Sequence, residues 1–208
     1  MNLGEYDCTT FVETVLALSF TVGKSENPTF DDFCEQLRLI RYRDGIINGY
    51  TDRLHYFTDW IYENEKDGFV YDVTKKAGGK PYRLDLSFMS SHPERYLQLK
   101  SNPGFTEILR QKEFEISERN GYSIIAGTEI KAGENAFRNG DIVCFVTDIE
   151  GLDVTHVGLM YRHAGQWTFI HASSSVRKVI INPQPIRKYV EQSRHTKGIM
   201  VIRPQPME

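Results

Sequence analysis

Cysteine is scarce in this 208-residue chain, which holds only Cys8, Cys34 and Cys144. An odd number cannot all pair within one chain, and these spacings fit no zinc pattern, so neither a disulfide framework nor a structural metal is expected. Lys and Arg never gather into a basic run interleaved with aromatics, and the net charge is −3. That removes the electrostatic case for nucleic acid or an anionic membrane surface as partner. No apolar stretch is long enough to span a bilayer. Met1 to Tyr6 has neither the charged n-region nor the apolar h-region of a signal peptide. Internal repeats and low-complexity linkers are also lacking, which leaves one domain over residues 1–208 as the expectation.

What is present is the balance of an ordinary globular protein, 40% hydrophobic and 25% charged, at a length that can bury a sizeable core. Phe11, Val12, Val15, Leu16 and Phe20 recur at helical spacing, with Asp7 as N-cap and Gly23 as stop. Thr29 precedes a second amphipathic helix over 30–40, in which Cys34 lies beside the apolar face and reads as a packing residue. A third helix carries Leu54, Phe57, Trp60 and Ile61. Residues 66–82 read as irregular, Ser87 to Pro93 as a turn into a helix carried by Tyr96 and Leu97, and Phe105 to Glu118 as helical.

The pattern changes near Gly121. Strands are expected over 123–126, 142–147, 156–162, 167–171, 179–181 and 198–202, with Ala164-Gly165-Gln166 joining two of them as a hairpin and a short helix near 185–190. Helices first and an antiparallel sheet second make the fold class α+β.

Cys8 directly follows a helix cap. A helix N-terminus carries partial positive charge and unpaired N–H groups, which stabilise a thiolate and can receive an oxyanion. Position alone favours a buried core thiol over a nucleophile. A cysteine nucleophile also needs a histidine base held by a third polar group. His156 starts one apolar strand and His171 ends the next, so hairpin pairing brings them close. Whether their side chains share a face depends on register, which the sequence leaves open. His163, His195 and His92 read as turn or loop residues, and His55 as a helix-start residue within reach of a cleft.

Asp-Cys-Thr-Thr-Phe-Val at 7–12, His-Val-Gly at 156–158 and Ile-His-Ala-Ser-Ser at 170–174 resemble the NlpC-type cell-wall cysteine peptidases and amidases. More closely, with Arg53-Leu54-His55-Tyr56, Phe88 to Pro93 and Gly151 to Gly158, the chain is similar to the bacterial N-acetylmuramoyl-L-alanine amidase-like branch of that group. The resemblance implies a papain-like core, in which an N-terminal nucleophile helix packs on an antiparallel sheet, with a helical insertion at about 44–121. It implies Cys8 as nucleophile, His156 as general base and His171 as the group that orients the base. Tyr6, Arg53, His55 and Asp153 are the implied substrate contacts. The implied substrate is a peptidoglycan fragment, cut without metal or cofactor at the amide between N-acetylmuramic acid and L-alanine. A periplasmic or envelope location follows from the same resemblance; members carry a leader before the cysteine that Met1 to Tyr6 does not supply. An endopeptidase acting at the D-glutamyl–diamino acid bond, a thiol acyltransferase and a non-catalytic wall-binding module remain as alternatives.

Overall fold

The computed structural model describes residues 4–205. Helix α1 (Cys8–Lys24) starts at Asp7, whose carboxylate accepts from the Thr10 N–H at 2.7 Å while the Thr10 hydroxyl receives the Asp7 N–H, a reciprocal cap. Helix α2 (Phe30–Arg41) repeats the device with Thr29 and Asp32. Then follow α3 (Phe57–Lys66), β1 (Val70–Asp72), β2 (Lys80–Pro81), α4 (Phe88–Ser91), α5 (Leu97–Ser101), α6 (Pro103–Glu118), β3 (Ser123–Ala126) and α7 (Ile130–Gly133). The remaining elements are β4 (Ile142–Thr147), β5 (Val154–His163), β6 (Gln166–Ser173), β7 (Lys178–Ile181), α8 (Ile186–Gln192) and β8 (Thr196–Pro204).

The strands form one antiparallel sheet in the order β2-β3-β8-β4-β5-β6-β7, with β1 also on β8. The protein is therefore of mixed α and β class. Central strand β4 is buried along its whole length, as its unbroken apolar run requires. Val12, Leu16 and Phe20 of α1 pack with Cys144, Val146 and Val157 on one face of the sheet. Phe145, Phe169, Trp167 and Ile186 fill the other. A third cluster, around Tyr56, Leu86, Met89 and Leu109, belongs to the chain between α3 and α6.

Residues 66–82 hold two short strands where the composition suggested irregular chain. Strand β1 pairs with β8 and β2 with β3, both distant in the chain, so neither leaves a local periodicity. Leu97 does not anchor α5: it is 73% exposed, and Tyr96 lies just before that helix. The hairpin turn is the pair Ala164-Gly165, both at positive φ (48° and 81°), and Gln166 already pairs with His163. Two consecutive positive φ values match the right-handed twist of the flanking strands.

Candidate active site

The cap at Asp7 fixes where α1 begins and so where the Cys8 side chain emerges. Cys8 is half-buried. Burial is the largest influence on its thiol and raises its pKa, and the nearby Asp7 charge adds to that; hydrogen bonds from the main chain of Val157 and from Thr9 pull it back down. The thiol is thus held against the main chain of Val157 in β5. Cys8, Thr9, His55, Tyr56, Tyr96, Asp153 and His156 are among the residues lining a cleft of about 170 Å³ between α1, the start of α3 and the start of β5.

The β5–β6 register settles the question that sequence left open. Leu159 pairs with Ile170, so Gly158 falls opposite His171, and His156, two residues earlier, points to the same face. His156 Nε2 lies 2.6 Å from His171 Nδ1, with the rings nearly perpendicular. A β-bulge contributes to the aim: Phe145 faces His156 and Val146 faces Val154, so Thr155 is the extra residue. Gly158 permits the close approach. A Cβ there would meet the Ile170 carbonyl oxygen and a Phe169 ring carbon, each at 2.8 Å.

Burial lowers the pKa of His156 to about 4, with the neighbouring His171 a smaller contributor in the same direction, and burial also lowers His171. Both rings are therefore neutral at neutral pH. A single ring proton joins them, and the second nitrogen of His156 is left for other work.

The expected substrate contacts divide. His55 lines the cleft, its Nε2 2.9 Å from the Tyr50 carbonyl oxygen, and burial lowers its pKa to about 4. Asp153 also lines it but is 2% exposed, and its carboxylate accepts from the Thr58 N–H and hydroxyl, both at 2.8 Å. Arg53 is not among the lining residues; its guanidinium lies 3.3 Å from Glu13, a wholly buried carboxylate that also binds Arg41 at 2.6 Å. Tyr6 is 37% exposed and lies outside the lining as well. Met89, Tyr96 and Leu152 were not anticipated. They come from short helices and loops whose sequences carry no face periodicity, so only the fold gathers them. His163 and His195 are exposed, and His92 closes α4 through the Phe88 carbonyl oxygen. Cys34 packs against the core, and Cys144 is fully buried in it.

A family model described as AmiA-like, N-acetylmuramoyl-L-alanine amidase-like, matches residues 1–199. An N-acetylmuramoyl-L-alanine amidase from Bacteroides uniformis ATCC 8492 superposes with a TM-score of 0.92 at 34% identity, over 99% of this chain and 87% of that one. A Bacteroides fragilis protein bearing a provisional xylanase description superposes at 0.90 with 35% identity, over 98% and 88%. A Legionella pneumophila protein at 20% identity, over 96% of this chain and 76% of that one, shares the fold at a TM-score of 0.71. No curated protein gives a match. The chain belongs to the AmiA-like family of N-acetylmuramoyl-L-alanine amidase-like proteins.

Proposed function

We propose that this protein is a cysteine amidase that cleaves the bond between N-acetylmuramic acid and L-alanine in peptidoglycan fragments, through a thioester on Cys8. The observation that carries the reading is the joint placing of a capped-helix thiol and His156 in one cleft, with His171 hydrogen-bonded to His156 from outside the lining. Family membership supplies the substrate class. The core is read as papain-like and NlpC-type, α1 being the nucleophile helix. The chain is read as a single amidase domain, with residues 44–121 as its helical insertion and the cell envelope as its place of work.

His171 Nδ1 accepts from His156 Nε2–H, which leaves Nδ1 of His156 as the base. As the substrate carbonyl settles over the thiol, the Sγ proton moves to Nδ1 and sulfur attacks the lactyl carbonyl carbon. The Cys8 N–H, one of the first-turn donors that a helix does not pair internally, receives the oxyanion. The C–N bond breaks, and the proton on Nδ1 passes to the leaving alanine nitrogen. Water, deprotonated by the same nitrogen, then hydrolyses the thioester and restores the thiol. Because desolvation disfavours both the thiolate and the imidazolium, the resting pair is neutral and the proton moves during attack.

A glycosidase reading, suggested by the description of the Bacteroides fragilis relative, fits the cleft poorly. Such chemistry uses two carboxyl groups flanking the bond. Among the described residues lining the cleft Asp153 is the only acid, and its carboxylate is spent on Thr58 and Val154. Digestion of defined muropeptides with product masses tests the reaction. Release of an intact stem peptide with a free alanine amine is expected. Cleavage after D-glutamate would establish the endopeptidase instead.

A further inference from the structure

The start of α3 lacks a cap of its own. Its N-cap residue, Tyr56, makes no side-chain hydrogen bond to the helix. The cap comes from elsewhere: the buried Asp153 carboxylate, ninety-five residues on in sequence, takes both the N–H and the hydroxyl of Thr58. Its other oxygen accepts from Val154 N–H at 2.7 Å, and its main-chain carbonyl accepts from Thr147 N–H at 3.0 Å. Asp153 is therefore pinned to β4 by its backbone and to α3 by its side chain. Burial of this carboxylate is costly and raises its pKa, and the donors of Thr58 and Val154 together with the helix end offset part of that cost. The two segments it joins are the two walls of the cleft: His55 stands three residues before Thr58, and His156 three residues after Asp153.

We propose that Asp153 and Thr58 form a clamp that positions His156 and sets the width of the cleft, so that Asp153 is a positioning residue rather than a substrate contact. The inference rests on the reading of Cys8 and His156 as the reacting pair. Between Asp153 and His156 lies the bulged Thr155, which interrupts the β4–β5 ladder just before the base. The carboxylate ties this irregular start of β5 to α3 as well. When the clamp loosens, the wall carrying Tyr56 parts from β5 and water reaches the imidazole.

The test compares Thr58→Val, which removes the hydroxyl but keeps the N–H bond, with Thr58→Ser, which keeps both. Titration of the His156 ring by NMR reads the clamp without any substrate. The titratable groups around that ring are His171, bonded directly, and Cys8, His55, Tyr56, Tyr96 and Asp153, lining the same cleft. Thr58→Val is expected to move the His156 midpoint upward by about one unit toward the ordinary histidine value. It should also lower kcat on a muramyl peptide about tenfold, and Thr58→Ser should restore both. An unchanged His156 titration in Thr58→Val, even with a lowered melting temperature, would reduce the contact to simple fold stability and overturn the proposal. Failure of the wild type to cut the amide would instead count against the reaction, while the titration would still judge the clamp.

Discussion

Replacing Gly158 by alanine tests the histidine pair through the backbone that supports it. The added methyl would sit 2.8 Å from the Ile170 carbonyl oxygen, 2.8 Å from Phe169 Cδ2 and 3.3 Å from His171 Cβ. Comfortable separations are about 3.5 Å or more, so the strands must part by roughly half an ångström or more. The nearest obstacle is main chain, which moves only with its strand, and His171 rides on that strand. The 2.6 Å bond between the imidazoles has no slack to absorb the shift. Overpacking of this kind costs about 1–3 kcal/mol, and weakening the bond adds about 1 kcal/mol. Misplacing a catalytic base by part of an ångström costs roughly 10–100-fold in rate. Gly158→Ala is therefore expected to unfold at lower urea concentration by about 2–4 kcal/mol. Its kcat on a muramyl peptide should fall about 10–100-fold with little change in KM. Gly23→Ala, where an added Cβ meets nothing within 4 Å, serves as the control. A folded Gly158→Ala enzyme with wild-type kcat would refute the reasoning.

Three other outcomes are expected. His55 and His156, both lowered to about 4, are held neutral by the fold, so between there and the unfolded value the unfolded chain binds the extra protons. Stability is then complete above pH 6.5 and falls as pH drops toward 4, by at most about 3 kcal/mol for each group; urea melts across that range measure it, and a flat profile would contradict it. Alkylation of Cys8 by iodoacetamide should show a midpoint above that of a free thiol, because burial raises its pKa; a plateau already reached below neutral pH would mean a preformed ion pair. Glu13→Ala should cost about 3–5 kcal/mol by leaving Arg41 and Arg53 without their buried partner, whereas a loss under about 1 kcal/mol would assign that network to the surface class.

Much of the framework is local enough to read in the sequence. The cap at Asp7, the apolar spacing of α1 and the alternating strands after Gly121 are short-range patterns, and each lies where the structure has it. The proximity of His156 and His171 follows from hairpin connectivity. Their shared face does not, because the register is set by a two-residue turn in which Ala164 adopts a positive φ that the residue type does not advertise. Strands β1 and β2 were hidden because β8 and β3 stabilise them from far away in the chain. Arg53, expected as a substrate contact, is instead partnered with Glu13. Glu13 falls between Val12 and Leu16 on the buried side of α1, and an acid there calls for a buried cation. Asp153 could only be understood once α3 was known to lack its own cap.

The account turns on the sulfur of Cys8 forming the bond to substrate. Acid quenching of wild-type protein during turnover of N-acetylmuramoyl-L-alanyl-D-isoglutamine, followed by peptide mass analysis, tests this most directly. The expected result is an N-acetylmuramoyl thioester on the peptide containing Cys8, with neither adduct nor turnover in Cys8→Ala. Wild-type turnover by Cys8→Ala would contradict it.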